Sequence, residues 1–221
     1  MNSRREFIKK AGALAFGGAF HGFSASGNSM KATAQERPPL FFREDWKETP
    51  AATPVTQEHV ANKELVLTLH GPGKEGIKKS HHEQPVDDPY YIWSGTAKGN
   101  WAVSLHHTKY HVDLRGQSHI RWRAKQVGFR LLRPIIKLSS GDWLIADGYD
   151  DASSDWRERD FIIADLNWYK LDIEKVIEGK KVKSPDLSNV VEIGFTDLMT
   201  GGESDACSRL DWIEVWGWPV K

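Results

Sequence analysis

The sequence predicts an all-β fold, a two-sheet antiparallel β-sandwich of the jelly-roll type. Three observations carry this expectation. Short runs of β-branched, aromatic and leucine residues recur along the chain, several alternate apolar and polar residues with period two, and Gly, Pro, Asn and Asp punctuate the gaps. Helical spacing is confined to one stretch, so the elements must pack sheet on sheet.

The β-like runs fall at residues 40–46, 65–70, 90–93, 101–106, 110–114, 119–124, 129–138, 143–146, 157–163, 190–195 and 209–215. The alternation is cleanest in the sixth, where Ile120, Trp122 and Ala124 share one face and Arg121 and Arg123 the other. The same rule puts Leu210, Trp212 and Glu214 opposite Asp211, Ile213 and Val215. Ser139-Ser140-Gly141-Asp142 reads as a hairpin turn between two runs. Residues 171–178, with Leu171, Val176 and Ile177 among charges, read as the single helix.

Ser3-Arg4-Arg5-Glu6-Phe7-Ile8-Lys9 opens the chain and resembles the twin-arginine export consensus. Residues 11–23 follow as a weakly apolar, Gly-loosened stretch, too short to span a bilayer, and Ala32-Thr33-Ala34 fits a signal-peptidase site. The expected organisation is a signal peptide over residues 1–34 and one β-sandwich over 35–221, exported to the periplasm or beyond and free of the membrane once cleaved. Residues 35–221 carry 25 basic and 29 acidic side chains, a net charge of −4, which argues against a nucleic-acid partner. The single cysteine, Cys207, rules out an intramolecular disulfide, and all ten tryptophans lie beyond residue 34.

Within this frame, Val112-Asp113-Leu114-Arg115-Gly116-Gln117-Ser118-His119-Ile120-Arg121-Trp122-Arg123-Ala124-Lys125 resembles the "DLsGy-x-x-IrfrakG" passage of galactose-binding-domain-like jelly rolls. That group includes carbohydrate-binding modules and complex I intermediate-associated proteins. Residues 156–166, 187–195 and 210–215 resemble, in the same order, three later strands of that fold. The resemblance covers about the last half of the chain. It implies the same fold, and carbohydrate as the partner; an extracytoplasmic assembly factor is the alternative that the second family allows.

The residue types agree with a glycan ligand. Sugars offer flat C–H faces to aromatic rings and hydroxyls to forked side chains. Trp93, Trp101, Trp143, Tyr149 and Trp156 are interleaved with Asn100, Arg121, Arg123, Arg130, Arg133, Asp147 and Asp155. Trp93, Trp101, Trp156, the four arginines and Asp147 are therefore the expected ligand-binding set, although tryptophan also fills sandwich cores and the arginines could be occupied by internal carboxylates. A Gly-rich stretch, residues 71–83, contains His81-His82 and is expected to form a long loop, with residues 73–88 at the rim of the site. An enzyme on the same scaffold, a polysaccharide lyase or glycoside hydrolase, would draw on His81 or His82, Tyr91 and an arginine. No H-E-x-x-H, phosphate-loop or G-x-S-x-G pattern is present. Jelly-roll glycan-binding modules often hold a structural Ca²⁺ between first and last strands, so the resemblance implies a calcium site at Glu44, Asp45 and Asp211, completed by carbonyls and water.

Overall fold

The computed structural model describes residues 36–202 and 207–221; the twin-arginine segment and its cleavage site lie outside the described residues. Fifteen strands are found among them: β1 (Leu40–Glu44), β2 (Leu65–His70), β3 (Lys78–Ser80), β4 (Tyr91–Trp93), β5 (Ala102–His107), β6 (His111–Asp113), β7 (His119–Gln126), β8 (Arg133–Leu138), β9 (Trp143–Ala146), β10 (Arg157–Ile162), β11 (Trp168–Asp172), β12 (Ile177–Val182), β13 (Val190–Thr196), β14 (Ser208–Trp216) and β15 (Trp218–Val220). Helix is limited to three short 3₁₀ turns, none long or apolar enough to cross a membrane.

The smaller sheet runs β10-β7-β14-β4-β3, with β1 also on β14. The larger runs β12-β11-β9-β8-β13-β5-β2, with β6 joining β13 to β15. The named strands pair antiparallel throughout, so the molecule is the two-sheet sandwich that the period-two runs predict. One face of each sheet contributes to a shared core that includes Trp101, Ile120, Trp122, Phe195 and Ile213. Burying side chains of this size is worth about 1.5–3 kcal/mol each.

The hairpin expected at Ser139-Ser140-Gly141-Asp142 joins β8 to β9, with Gly141 at φ 91. Two local expectations are corrected. Residues 171–178 are the β11–β12 hairpin, not a helix: Ile173, Val176 and Ile177 are β-branched, Val176 takes φ 54, and Asp172 accepts a hydrogen bond from the Lys175 amide at 3.1 Å. In β14 a bulge between Leu210 and Trp212 breaks the alternation. Leu210 therefore shares the core with Ile213 and Val215, while Asp211 and Trp212 join Glu214 on the outer face, where they meet Arg123 and Arg43.

Candidate functional site

Strand β7 organises the outer face of the smaller sheet. With Ile120, Trp122 and Ala124 in the core, His119, Arg121, Arg123 and Lys125 project outward, spaced about 6.6 Å per pair of residues along the strand. Strand register decides what each meets. Arg121 lies between Asp160 of β10 and Glu214 of β14, and its guanidinium is 2.7 Å from Glu158 and 3.6 Å from Asp160. Arg123 lies opposite Glu158, and its Nη1 donates to Asp211 at 2.6 Å. Lys125 lies directly opposite Arg209. Neither Lys125 nor Arg209 has a carboxylate at ion-pair distance among the described residues.

Around Lys125 and Arg209 the surface opens into a cleft of about 390 Å³ that also receives His82, Asp88, Tyr91 and Trp156. The β3–β4 connection supplies the first two. Asp88 Oδ2 accepts from the His82 amide at 2.8 Å and lies 3.0 Å from His82 Nδ1. The Asp88 carboxylate thus orients the His82 imidazole through its Nδ1 edge. Tyr91, at the start of β4, brings its hydroxyl within 3.1 Å of the same Nδ1. Burial pushes the Tyr91 phenol up, so it stays neutral and keeps a proton to donate. Trp156, just before β10, sets its ring 5.2 Å from that of Tyr91 at 58°, with the Arg123 guanidinium 5.5 Å from the Trp156 ring centre.

A second cleft, about 530 Å³, occupies the other end of the same face. There Trp216 stacks on His119 at 5.5 Å and 10°, flanked by Arg37, Gln117, Arg121 and Ile162.

The structure thus brings together His82, Tyr91, Arg123 and Trp156 and disperses the rest of the expected set. Trp101 is 1% exposed in the core, because β5 leads on from it with Val103 and Leu105 packed between the sheets. Arg130 is also buried, donating to Asp197 at 3.1 Å and to the Gly201 carbonyl at 2.7 Å. Arg133 lies in the larger sheet, bonded to the Ala146 carbonyl and Glu178. Asp147 is committed to Asn167 in a turn, and Asp155 caps the Trp156 amide. Trp93 folds over Gly95, where a Cβ would fall 1.9 Å from its ring, and its Nε1 donates to the buried Cys207 Sγ. His81 stacks on Tyr90 at 4.1 Å, apart from His82. Tyr149 is exposed, whereas Asn100 ties down the Val176 carbonyl and Trp143 packs against Val176 on the outside of the larger sheet. The Gly-rich stretch is not one loop, because β3 and a 3₁₀ turn interrupt it and Gly73 packs against Gly99.

The three carboxylates nominated for calcium do not form a donor set. Glu44 is 0% exposed and accepts from the amides of Trp46, Ala61 and Asn62 at 2.7–2.9 Å. Asp45 is held by Arg43, and Asp211 by Arg123. No group of three or more His, Cys, Asp or Glu suited to a metal occurs among the described residues. The oxygens that would ligate the ion are already used by backbone amides and guanidinium groups, so these residues do not fit a Ca²⁺ site.

Three site residues escape the sequence reading: Asp88, Lys125 and Arg209. Lys125 could have been found by extending the outward alternation of residues 119, 121 and 123 by one step. Asp88 and Arg209 carry no comparable sequence signal, since their place depends on the β3–β4 connection and on the β14 register.

No protein-family model matches the chain, and no curated protein matches it. Among solved structures it is similar to the family 11 carbohydrate-binding module of the cellulosomal cellulase Lic26A-Cel5E of Clostridium thermocellum, at 14% identity and TM-score 0.46, over 77% of this chain and 96% of that one. It is similar to a Clostridium thermocellum family 11 module in complex with a β-1,3-1,4-mixed-linked tetrasaccharide, at 15% identity and TM-score 0.45, over 79% and 100%. A third is the Emp47p carbohydrate recognition domain, at 11% identity and TM-score 0.33, over 79% and 97%.

Proposed function

We propose that this protein binds carbohydrate on the outer face of its smaller sheet, at the Tyr91–Trp156 cleft. One observation carries the reading. A half-buried indole is flanked by a phenol and a guanidinium, in an open cleft whose other walls, Val127 apart, are hydrogen-bonding side chains. The cleft volume, about 390 Å³, lies within the roughly 300–1,000 Å³ common for ligand sites. The indole offers a surface for the C–H face of a pyranose, while Asp88, His82, Lys125 and Arg209 can exchange hydrogen bonds with its hydroxyls. The twin-arginine pattern before residue 35 supports action on glycans outside the cytoplasm, and replacing Arg4 and Arg5 with lysine should then trap the precursor inside the cell. The binding test is a glycan array followed by calorimetry. Trp156→Ala should weaken the best ligand at least tenfold, the equivalent of about 1.4 kcal/mol.

A second reading, a glycan-cleaving enzyme at the same cleft, is favoured by the Asp88–His82 pair beside Tyr91. An imidazole oriented by a carboxylate, with a phenol 3.1 Å away, is the kind of pair that exchanges protons with a substrate. Product analysis separates the readings: shortened or unsaturated oligosaccharides establish turnover, and intact ligand establishes binding alone.

A further inference from the structure

We propose that the Tyr91–Trp156 cleft selects glycans bearing an anionic substituent, a uronate carboxylate or a sulfate ester, over neutral ones. The inference rests on the carbohydrate reading of this cleft and adds the chemical class of its ligand.

The argument is one of register. Side chains directly opposite on antiparallel strands have Cβ atoms about 4.5–5.5 Å apart, and like charges there are destabilising. Two outward cations of β7 are spared this cost. Arg121 has carboxylates on both sides, Asp160 and Glu214, and Arg123 faces Glu158 and bonds Asp211. The next outward position reverses the pattern, with Lys125 across from Arg209 and both lining the cleft. On the β10 side Lys125 has no carboxylate, because β10 begins at Arg157, opposite Ala124, and the preceding residue is the cleft's own Trp156.

The one carboxylate of the cleft, Asp88, can balance only one of the two cations and is at ion-pair distance from neither. Asp88 Oδ2 is engaged by the His82 amide and imidazole. Nor does the molecule's overall field account for two juxtaposed cations, since residues 35–221 carry a net charge of −4. The positive potential is local and sits beside the Trp156 ring that the carbohydrate reading assigns to a sugar. A guanidinium fork, an ammonium and the Tyr91 hydroxyl, all lining the cleft, make a donor cluster suited to an oxyanion. A bound anion would relieve the repulsion that the apo surface carries.

The test is calorimetry on the purified protein with three hexasaccharides of matched length: an oligogalacturonate, a sulfated galactan fragment and cellohexaose. At low salt, at least one anionic ligand should bind tenfold or more tighter than cellohexaose, and the gap should shrink as NaCl is raised. The tighter of the two anionic ligands identifies carboxylate or sulfate as the source. Lys125→Gln and Arg209→Gln, checked for folding by circular dichroism, should each weaken the anionic ligand far more than cellohexaose and so remove most of that preference. Equal affinity for all three ligands, lost with Trp156→Ala, would overturn the anionic preference and leave the carbohydrate reading standing. Binding of no glycan class, or binding indifferent to Trp156→Ala, would overturn the carbohydrate reading itself.

Discussion

The outer faces of the two sheets are finished in opposite ways. On the larger sheet, the β11–β12 hairpin folds Ile173 and Val176 over Ala102, Ile135, Trp143, Ile145 and Leu171, building a second apolar cluster outside the main core. Beside it a polar row crosses four adjacent strands: His70 Nε2 lies 2.9 Å from Ser104 Oγ, Ser104 donates to Glu192 at 2.7 Å, and Lys137 donates to Glu192 at 2.8 Å. Among the described residues, the smaller sheet has no such cover. Its central arginines are paired, but clefts remain at both ends and Lys125 faces Arg209. Tryptophan serves both faces. The difference teaches that its role here is set by what the chain lays over it, not by its neighbours in sequence.

The largest test of this contrast exchanges two tryptophans. Trp143→Ala opens a cavity under the β11–β12 hairpin and should cost about 3–5 kcal/mol of stability, read from denaturant midpoints, with glycan affinity of the folded fraction unchanged. Trp156→Ala should do the reverse, costing under about 1 kcal/mol while removing at least nine-tenths of the affinity. Equal destabilisation by the two would erase the distinction between a covered face and an open one.

Next in size are two carboxylates whose pKa values move in opposite directions. Burial opposes ionisation of Glu192, but hydrogen bonds from Lys137 and Ser104 more than offset it and hold the group below its ordinary value. Its contribution is therefore present above the ordinary glutamate range and lost as pH falls through the lower folded value. Glu192→Gln should cost about 1.5–3 kcal/mol at neutral pH and progressively less in acid. On the smaller sheet, burial pushes Asp211 up, and Arg123 only partly offsets it. The folded state holds that proton more tightly than the unfolded chain, so its ionisation costs stability as pH rises through the folded value. Asp211→Asn should remove this loss, flattening the stability profile just above the ordinary aspartate range. Matching acid-side slopes in the two variants would contradict the opposed shifts.

How far the sequence revealed all this depended on the range of the information required. The β7 alternation is local, and it located the core face and the outward arginines correctly. The β14 bulge is not local: Leu210 and Ile213 share a face because an extra residue is accommodated against β7, which no period-two reading supplies. The β11–β12 hairpin was misread because Leu171 and Val176 are apolar for an outer cluster whose other members come from β5, β8 and β9. Within the candidate site, His82 and Tyr91 were legible as chemistry-bearing residues, and their pairing follows from the β3–β4 register, which sets Ser80 opposite Tyr91. Lys125 and Arg209 were passed over because a lysine and an arginine 84 positions apart acquire meaning only when register sets them face to face. Trp101 and Trp143 could not be told from Trp156 by type, since burial is a property of the assembled sheets.

The smallest effect sharpens the comparison most. Lys125→Glu would give the last outward position of β7 the compensation that its neighbours already have, pairing a carboxylate with Arg209 directly across the strand boundary. Cross-strand opposite charges are worth about 0.2–1 kcal/mol, and the wild-type repulsion would also be relieved. Thermal unfolding should therefore shift slightly upward, while binding of an anionic oligosaccharide is lost and that of a neutral one persists. A variant both more stable and unable to bind the anion would mark the Lys125–Arg209 pair as a cost the fold carries for its ligand. A drop in stability would mean that the two cations are already compensated in the folded protein, and the outer faces would then differ only in cover.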